Sequence, residues 1–220
     1  MQTNRIDLYT MLHKGIRNRL FQFTAFVGSI DFSNRTVVRT IQPKFHLLIQ
    51  FLENHEANED TYIHPLLIHQ HLIELLQSTD QEHRRHQKML LKVESELNYL
   101  LSAAMDGETR KRHGLLFYRN LNLWISDYLK HLNREEDKVM SALWDLYDEQ
   151  QLLQVMGNIL QAIPVQHLLD EVATMLPAIT PHERQSFFRE MKCNPILLQA
   201  AYKAANQVLA KAECSTLMAH

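Results

Sequence analysis

Apolar side chains recur every three to four residues along most of the chain, the spacing of one helix face. The first such seam runs Ile6, Tyr9, His13, Ile16, Leu20, Phe23 and Val27. A polar break follows around residues 29–35. The second seam runs Phe45, Leu48, Leu52, His55, Glu59 and Tyr62, after which Pro65 is expected to break or redirect the helix. A short helical stretch is expected over 66–76. The third seam runs Leu72, Leu76, Thr79, His83, His86, Leu90, Val93, Leu97 and Leu100, and Asp106-Gly107 is a turn signal. The fourth runs Phe117, Leu121, Trp124, Tyr128, His131, Glu135, Lys138 and Ala142. Four amphipathic helices with short connections predict an antiparallel up-down-up-down four-helix bundle that ends near Tyr147. Further helices are expected over 150–162, stopped at Pro164, and over 165–176, stopped at Pro177. Thr180-Pro181-His182-Glu183 is a capping box with Pro at the first helical position. Asn194-Pro195 opens a last helix through about Lys211. The chain is therefore expected to be all-α, a bundle over 1–147 with a C-terminal helical extension over 148–220.

Each seam of the bundle carries polar residues where apolar ones belong. They are His13, then His55 and Glu59, then His83 and His86, then His131 and Glu135. A buried polar group without a partner costs roughly 1–3 kcal/mol, against a net stability of only about 5–15 kcal/mol. These groups must compensate one another, or something must bind them. Their heights agree. His83/His86 and His131 lie about 21 and 24 residues from the turn at Gly107, and His13 and His55 about 19 and 23 from the first loop. At 1.5 Å per residue the offsets match within about one turn, which brings all seven to one layer. The i,i+4 pairs His55/Glu59 and His131/Glu135 and the i,i+3 pair His83/His86 each project from one helix face. Neutral imidazole with carboxylate suits iron, and less selectively zinc or manganese. Seven ligands exceed what one ion needs, whereas two ions bridged by Glu59 and Glu135 use them all.

Composition narrows the alternatives. There are only five glycines and six prolines among 220 residues, whereas average usage is roughly 12% for the two together. That argues against an all-β fold. The apolar share of 45% and charged share of 22% are those of a globular protein. A net charge of −2 gives no global reason to expect nucleic acid. No run is long and apolar enough for a membrane span, and the first residues lack a secretory pattern, so a cytoplasmic protein is expected. Cys193 and Cys214 form no metal-binding spacing and are expected to be free thiols. No GxGxxG, Walker A or GxSxG occurs. Histidine is the outlier, with thirteen copies. His46, His64, His69, His71, His113, His167, His182 and His220 fall off the seams or outside the bundle and are expected at the surface or at caps.

The segments LHKGIR, HEANEDTYIHP, EHRRH and HLNREE, one per helix over roughly residues 5–147, together resemble the hemerythrin-like (HHE cation-binding) family. The tail segment MLPAITPHERQSFFREMK looks like the helical extension carried by one bacterial branch of that family. The resemblance implies a non-haem di-iron centre, carboxylate- and oxo-bridged, with His13, His55, His83, His86 and His131 as terminal ligands. Oxygen binding, oxygen or redox sensing, iron handling and nitric-oxide-linked repair are the functions it implies.

The chain departs from the family's oxygen carriers in two places. Their third-helix histidines are four apart, whereas position 87 here is Gln. Their last carboxylate is an Asp five residues after the histidine, where this chain has Glu136, and the heptad phase favours Glu135 instead. Glu56, beside His55, is either an additional ligand or a solvated charge. Tyr9 and Tyr128 lie one turn from His13 and His131 and serve either as hydrogen-bonding neighbours of the centre or as core. Trp124 and Phe117 read as core. His55-Glu56 begins like HExxH, but position 59 is Glu, and the ferritin-type Glu-x-x-His is absent from the bundle. The leading expectation is a di-iron protein that binds or senses oxygen, a peroxide or another small diatomic ligand, with the extension passing on a change of state. The alternatives are a di-iron oxidoreductase acting on peroxide or nitric oxide, and an interaction protein whose metal only stabilises the bundle. No electron-donor motif is readable, which ranks binding ahead of turnover.

Overall fold

The computed structural model describes residues 5–192 and 194–218. Cys193 and His220 lie outside the described residues. Every regular element among the described residues is helical. Residues 19–141 form one compact unit, and residues 1–18 with 142–220 form another.

The 19–141 unit takes in the second half of α1 (Thr10–Gly28), then α2 (Arg35–Val38), α3 (Ile41–Asn58), α4 (His64–His69), α5 (Ile73–Leu100) and α6 (Gly107–Arg134). The second half of α1 runs antiparallel to α3, and α5 antiparallel to α6, as their side-chain pairs show. Phe23 of α1 meets Phe45 of α3 with ring centroids 6.0 Å apart, and Arg19 lies over the Phe51 ring at 4.4 Å. Between α5 and α6, Asn120 donates to Glu96 at 2.6 Å and the His113 ring sits 5.0 Å from Tyr99. Arg110, buried near the start of α6, donates through Nε to the Leu100 carbonyl and through Nη2 to the Ser102 carbonyl. It thereby satisfies acceptors that the end of α5 leaves without helical partners. Gly114 gives the Phe32 side chain room against α6, where a Cβ would lie 2.1 Å from the ring.

Two turns depart from the expected α geometry. Glu59–Ile63 and Glu135–Val139 are π-helical, with His64 N–H bonding the Glu59 carbonyl and Met140 N–H the Glu135 carbonyl. The wider turn holds one extra residue, so the buried face advances by one position. Ile63 and Leu67 are buried after Glu59, while the expected Tyr62 is only half-buried. Val139, Met140 and Leu143 are buried after Glu135, while the expected Lys138 is exposed. Pro65 does not break the chain. It sits in the first turn of α4, where its missing N–H is tolerated. The interruption falls instead at residues 70–72. There His71 takes a left-handed φ of 58° and Leu72 N–H returns to the Leu67 carbonyl, a helix-ending turn. The stretch expected over 66–76 is thus the end of α4 and the start of α5.

In the other unit, α1 starts at Thr10 rather than Ile6, because Asp7 Oδ1 accepts the N–H groups of Tyr9 and Thr10. After α7 (Met140–Leu146) come α8 (Glu149–Ala162), α9 (Val165–Met175), α10 (Pro181–Met191), α11 (Pro195–Val208) and α12 (Lys211–Met218). The Thr180/Glu183 capping box is present, and a second one, Asp148/Gln151, opens α8. The last expected helix is two, since α11 stops at Val208 and α12 follows. As expected, α9 stops at Pro177, which sits in a 3-10 turn over Leu176–Ala178. Leu176, Phe188, Ala201, Ala204 and Leu217 belong to the core of this unit. Cys214 is a buried free thiol.

Candidate metal centre

The centre of the 19–141 unit begins with the two π turns. Each opens on a carboxylate, Glu59 or Glu135, four residues after a histidine. His55, Glu59, His131 and Glu135 are all buried, and His83 of α5 is nearly so. His55 Nε2 lies 3.3 Å from Glu59 Oε1, and His131 Nε2 lies 3.0 Å from Glu135 Oε1. His83 Nε2 is 3.7 Å from Glu59 Oε2, 3.9 Å from Glu135 Oε1 and 3.1 Å from His131 Nε2. Glu59, His83, His131 and Glu135 each offer a ligand atom within 4.8 Å of the others, and His55 shares that distance with the same two carboxylates.

The expected ligands take unequal places. His86 is buried, but its Nε2 faces Asp127 Oδ2 at 3.4 Å and its Nδ1 is buried without a hydrogen-bond partner. It stands beside the group, its ring 4.9 Å from His131, rather than within it. His13 is fully buried on α1, with its ring 5.0 Å from that of Tyr9. Glu135 is buried and Glu136 only half-buried, in line with the heptad phase. His64, expected at the surface, is buried. Its Nδ1 lies 2.9 Å from Asp60 Oδ1 and 3.7 Å from Asp80 Oδ1, a smaller group able to hold a cation.

The electrostatics are those of a site built around positive charge. Burial, reinforced by the neighbouring Glu135, pushes the Glu59 carboxyl well above the usual range. Both Glu59 oxygens are buried and accept no hydrogen bond. Burial, with His131 adding repulsion, pulls His83 down to about 3, and the same causes pull His86 down to about 4. At His131 burial pulls down, but the Glu135 and Glu82 carboxylates outweigh it and lift the imidazole to about 9. The His131 ring then faces Glu135 Oε1 through Nε2 at 3.0 Å, and its Nδ1 donates to Glu82 Oε2 at 3.0 Å. A divalent cation would neutralise the paired carboxylates, displace the His131 proton and use the lone pair of neutral His83, with His55 beside the same carboxylates. The donor set therefore fits a metal.

Several contributors are not visible in the sequence pattern. Glu82 sits behind His131, and Arg134 in turn holds Glu82. Asp127 sits behind His86 and is held by Arg85 Nη2 at 2.8 Å. Such outer carboxylates orient imidazole ligands. Glu56 is half-buried rather than solvated, and burial pushes its carboxyl up to about 7. It belongs, with Tyr128, His83, His86, Leu90 and Trp124, to the lining of a cavity of about 250 Å³ beside the centre. The sequence does hint at Glu82 and Asp127, which lie one and four residues before ligand-type histidines, but their partners are on the facing helix. Trp124 and Phe117 are core, as expected.

Among the described residues no helix is long and apolar enough to cross a membrane. No curated protein and no solved structure is similar enough to the chain to count as a match. The family model of the hemerythrin HHE cation-binding domain matches residues 4–143, well over half of the chain. With this match and the histidine–carboxylate centre together, the chain belongs to the hemerythrin HHE cation-binding family.

Proposed function

We propose that this chain is a non-haem di-iron protein that binds or senses oxygen or a related small molecule. The proposal assigns residues 1–147 to an up-down-up-down metal-binding bundle and 148–220 to a helical extension. The observation that carries it is the sharing of two buried carboxylates, Glu59 and Glu135, by imidazoles on both sides. In this reading His13, His55, Glu59, His83, His86, His131 and Glu135 would hold the two iron ions. His86 joins through its unpartnered Nδ1. Iron when bound would supply one-electron redox chemistry and an open position for a small ligand. Around that position the chain's own residues do the rest. Glu82 holds the His131 ring so that Nε2 faces Glu135. Leu52, Leu90 and Trp124 supply apolar wall to the adjoining cavity, and Glu56, with its raised affinity for a proton, lines it as well.

Elemental analysis and visible spectra on one aerobically purified sample test this. About two irons per chain, with absorption that disappears on reduction and returns with oxygen, are the expected result. A single zinc, or a reduced iron form indifferent to oxygen, overturns it.

A further inference from the structure

A second cavity, unrelated to the metal centre, lies inside the unit formed by residues 1–18 and 142–220. Its volume is about 120 Å³. The start of α1 and helices α8, α9 and α10 enclose it, with Met11, Met156, Leu160, Val172, Met175 and Phe187 among its walls. The walls are mostly apolar, and several are methionine, whose flexible thioether adapts to the shape of a guest. The size is near that of an apolar cavity of about 150 Å³ that holds benzene.

Its polar lining is acidic only. Asp7, Glu171 and Glu190 reach it, and no Lys, Arg or His does. Asp7 is committed, because its two oxygens accept from Tyr9 N–H, Thr10 N–H and the Thr10 hydroxyl. Glu190 has its own interaction. Glu171, in the middle of α9, is different. Among the described residues nothing donates to its carboxylate, and burial, with the Asp170 charge adding to it, pushes its carboxyl up to about 7. A surface glutamate would turn to water. This one lines an apolar hollow without a counter-charge, and a partly buried carboxylate of that kind gains most from a cation that brings its own apolar body.

We infer that this cavity is a binding site for a small organic amine, its ring-sized or short alkyl body among the methionines and its ammonium on Glu171. The acidic lining excludes carboxylates and phosphates of the same size. The site does not depend on the metal reading, and it gives the C-terminal extension a ligand of its own.

Calorimetric titration of the full chain with n-hexylammonium, n-hexanol and hexanoate tests the assignment. Hexylammonium should saturate one site at least about tenfold more tightly than hexanol, the advantage of one charge-assisted hydrogen bond, and hexanoate should not bind. Glu171→Gln keeps the shape and should reduce hexylammonium to the level of hexanol, with helicity and metal content unchanged. Met156→Trp, which fills the cavity from α8, should abolish binding of both. Hexanol binding as tightly as hexylammonium, a Glu171→Gln protein that binds the amine like wild type, or no saturable binding of any of the three would overturn it.

Discussion

Replacing Glu59 by Gln should move stability in opposite directions with and without metal. In the metal-free protein both Glu59 oxygens are buried without a donor, beside a second buried carboxylate and with burial opposing ionisation. Glutamine keeps the shape, cannot ionise and brings an amide N–H that can donate to Glu135. Relief of one unsatisfied buried polar group is worth about 1–3 kcal/mol. For a chain of this length each kcal/mol corresponds to about 2–4 °C, so the chelator-treated variant should melt about 2–12 °C above wild type. With metal present the order should invert. A ligand at a thousand times its Kd contributes about 4 kcal/mol to the wild type, and the variant loses a carboxylate that both ligand groups share. Scanning calorimetry of both proteins, with chelator and with ferrous iron added anaerobically, reads both effects, and elemental analysis counts the metal. A variant that melts below wild type in chelator would refute the reasoning, since Glu59 would then be held by favourable partners rather than strained. Equal metal content in the two proteins would refute its role as a shared ligand.

Three further outcomes are expected. Metal-free protein should lose stability as pH rises from about 7 to 9 in urea melts. The folded chain keeps the His131 proton up to about 9 and the Glu56 and Glu171 protons up to about 7, while the unfolded chain has lost them. Below about pH 6.5 the neutral His83 and His86 act in the opposite sense to these carboxyls, so the profile should flatten there. Stability that rises between pH 7 and 9 would contradict this. Glu82→Gln should weaken metal binding about 10–100-fold in chelator competition, because His131 loses the carboxylate that orients it, and an unchanged affinity would remove Glu82 from the site. Gly114→Ala should cost about 1–3 kcal/mol in urea denaturation, since its Cβ would lie 2.1 Å from the Phe32 ring and 2.5 Å from Phe32 Cβ. An unshifted midpoint would mean that Phe32 is not held there.

Sequence alone was enough for most of the helices, for the histidines and carboxylates on the apolar seams and for the family. Helix periodicity is local, and a histidine or carboxylate on an apolar seam is visible without knowing what it faces. The capping box at Thr180, the turn at Asp106-Gly107 and the choice of Glu135 over Glu136 were legible for the same reason. Seam spacing could not reveal the π turns at Glu59 and Glu135, because it assumes 3.6 residues per turn and their extra residue shows only when the buried face is seen to shift to Ile63 and Val139. Pro65 read as a breaker because its effect depends on whether its missing N–H falls in a first turn. Tertiary structure alone decided that Glu82 and Asp127 stand behind His131 and His86, that His64 is buried beside Asp60 and Asp80, and that Glu171 lines an apolar hollow. A side chain's partner on another helix is fixed by packing rather than by its neighbours in sequence, and the chemistry of this protein depends on such partners.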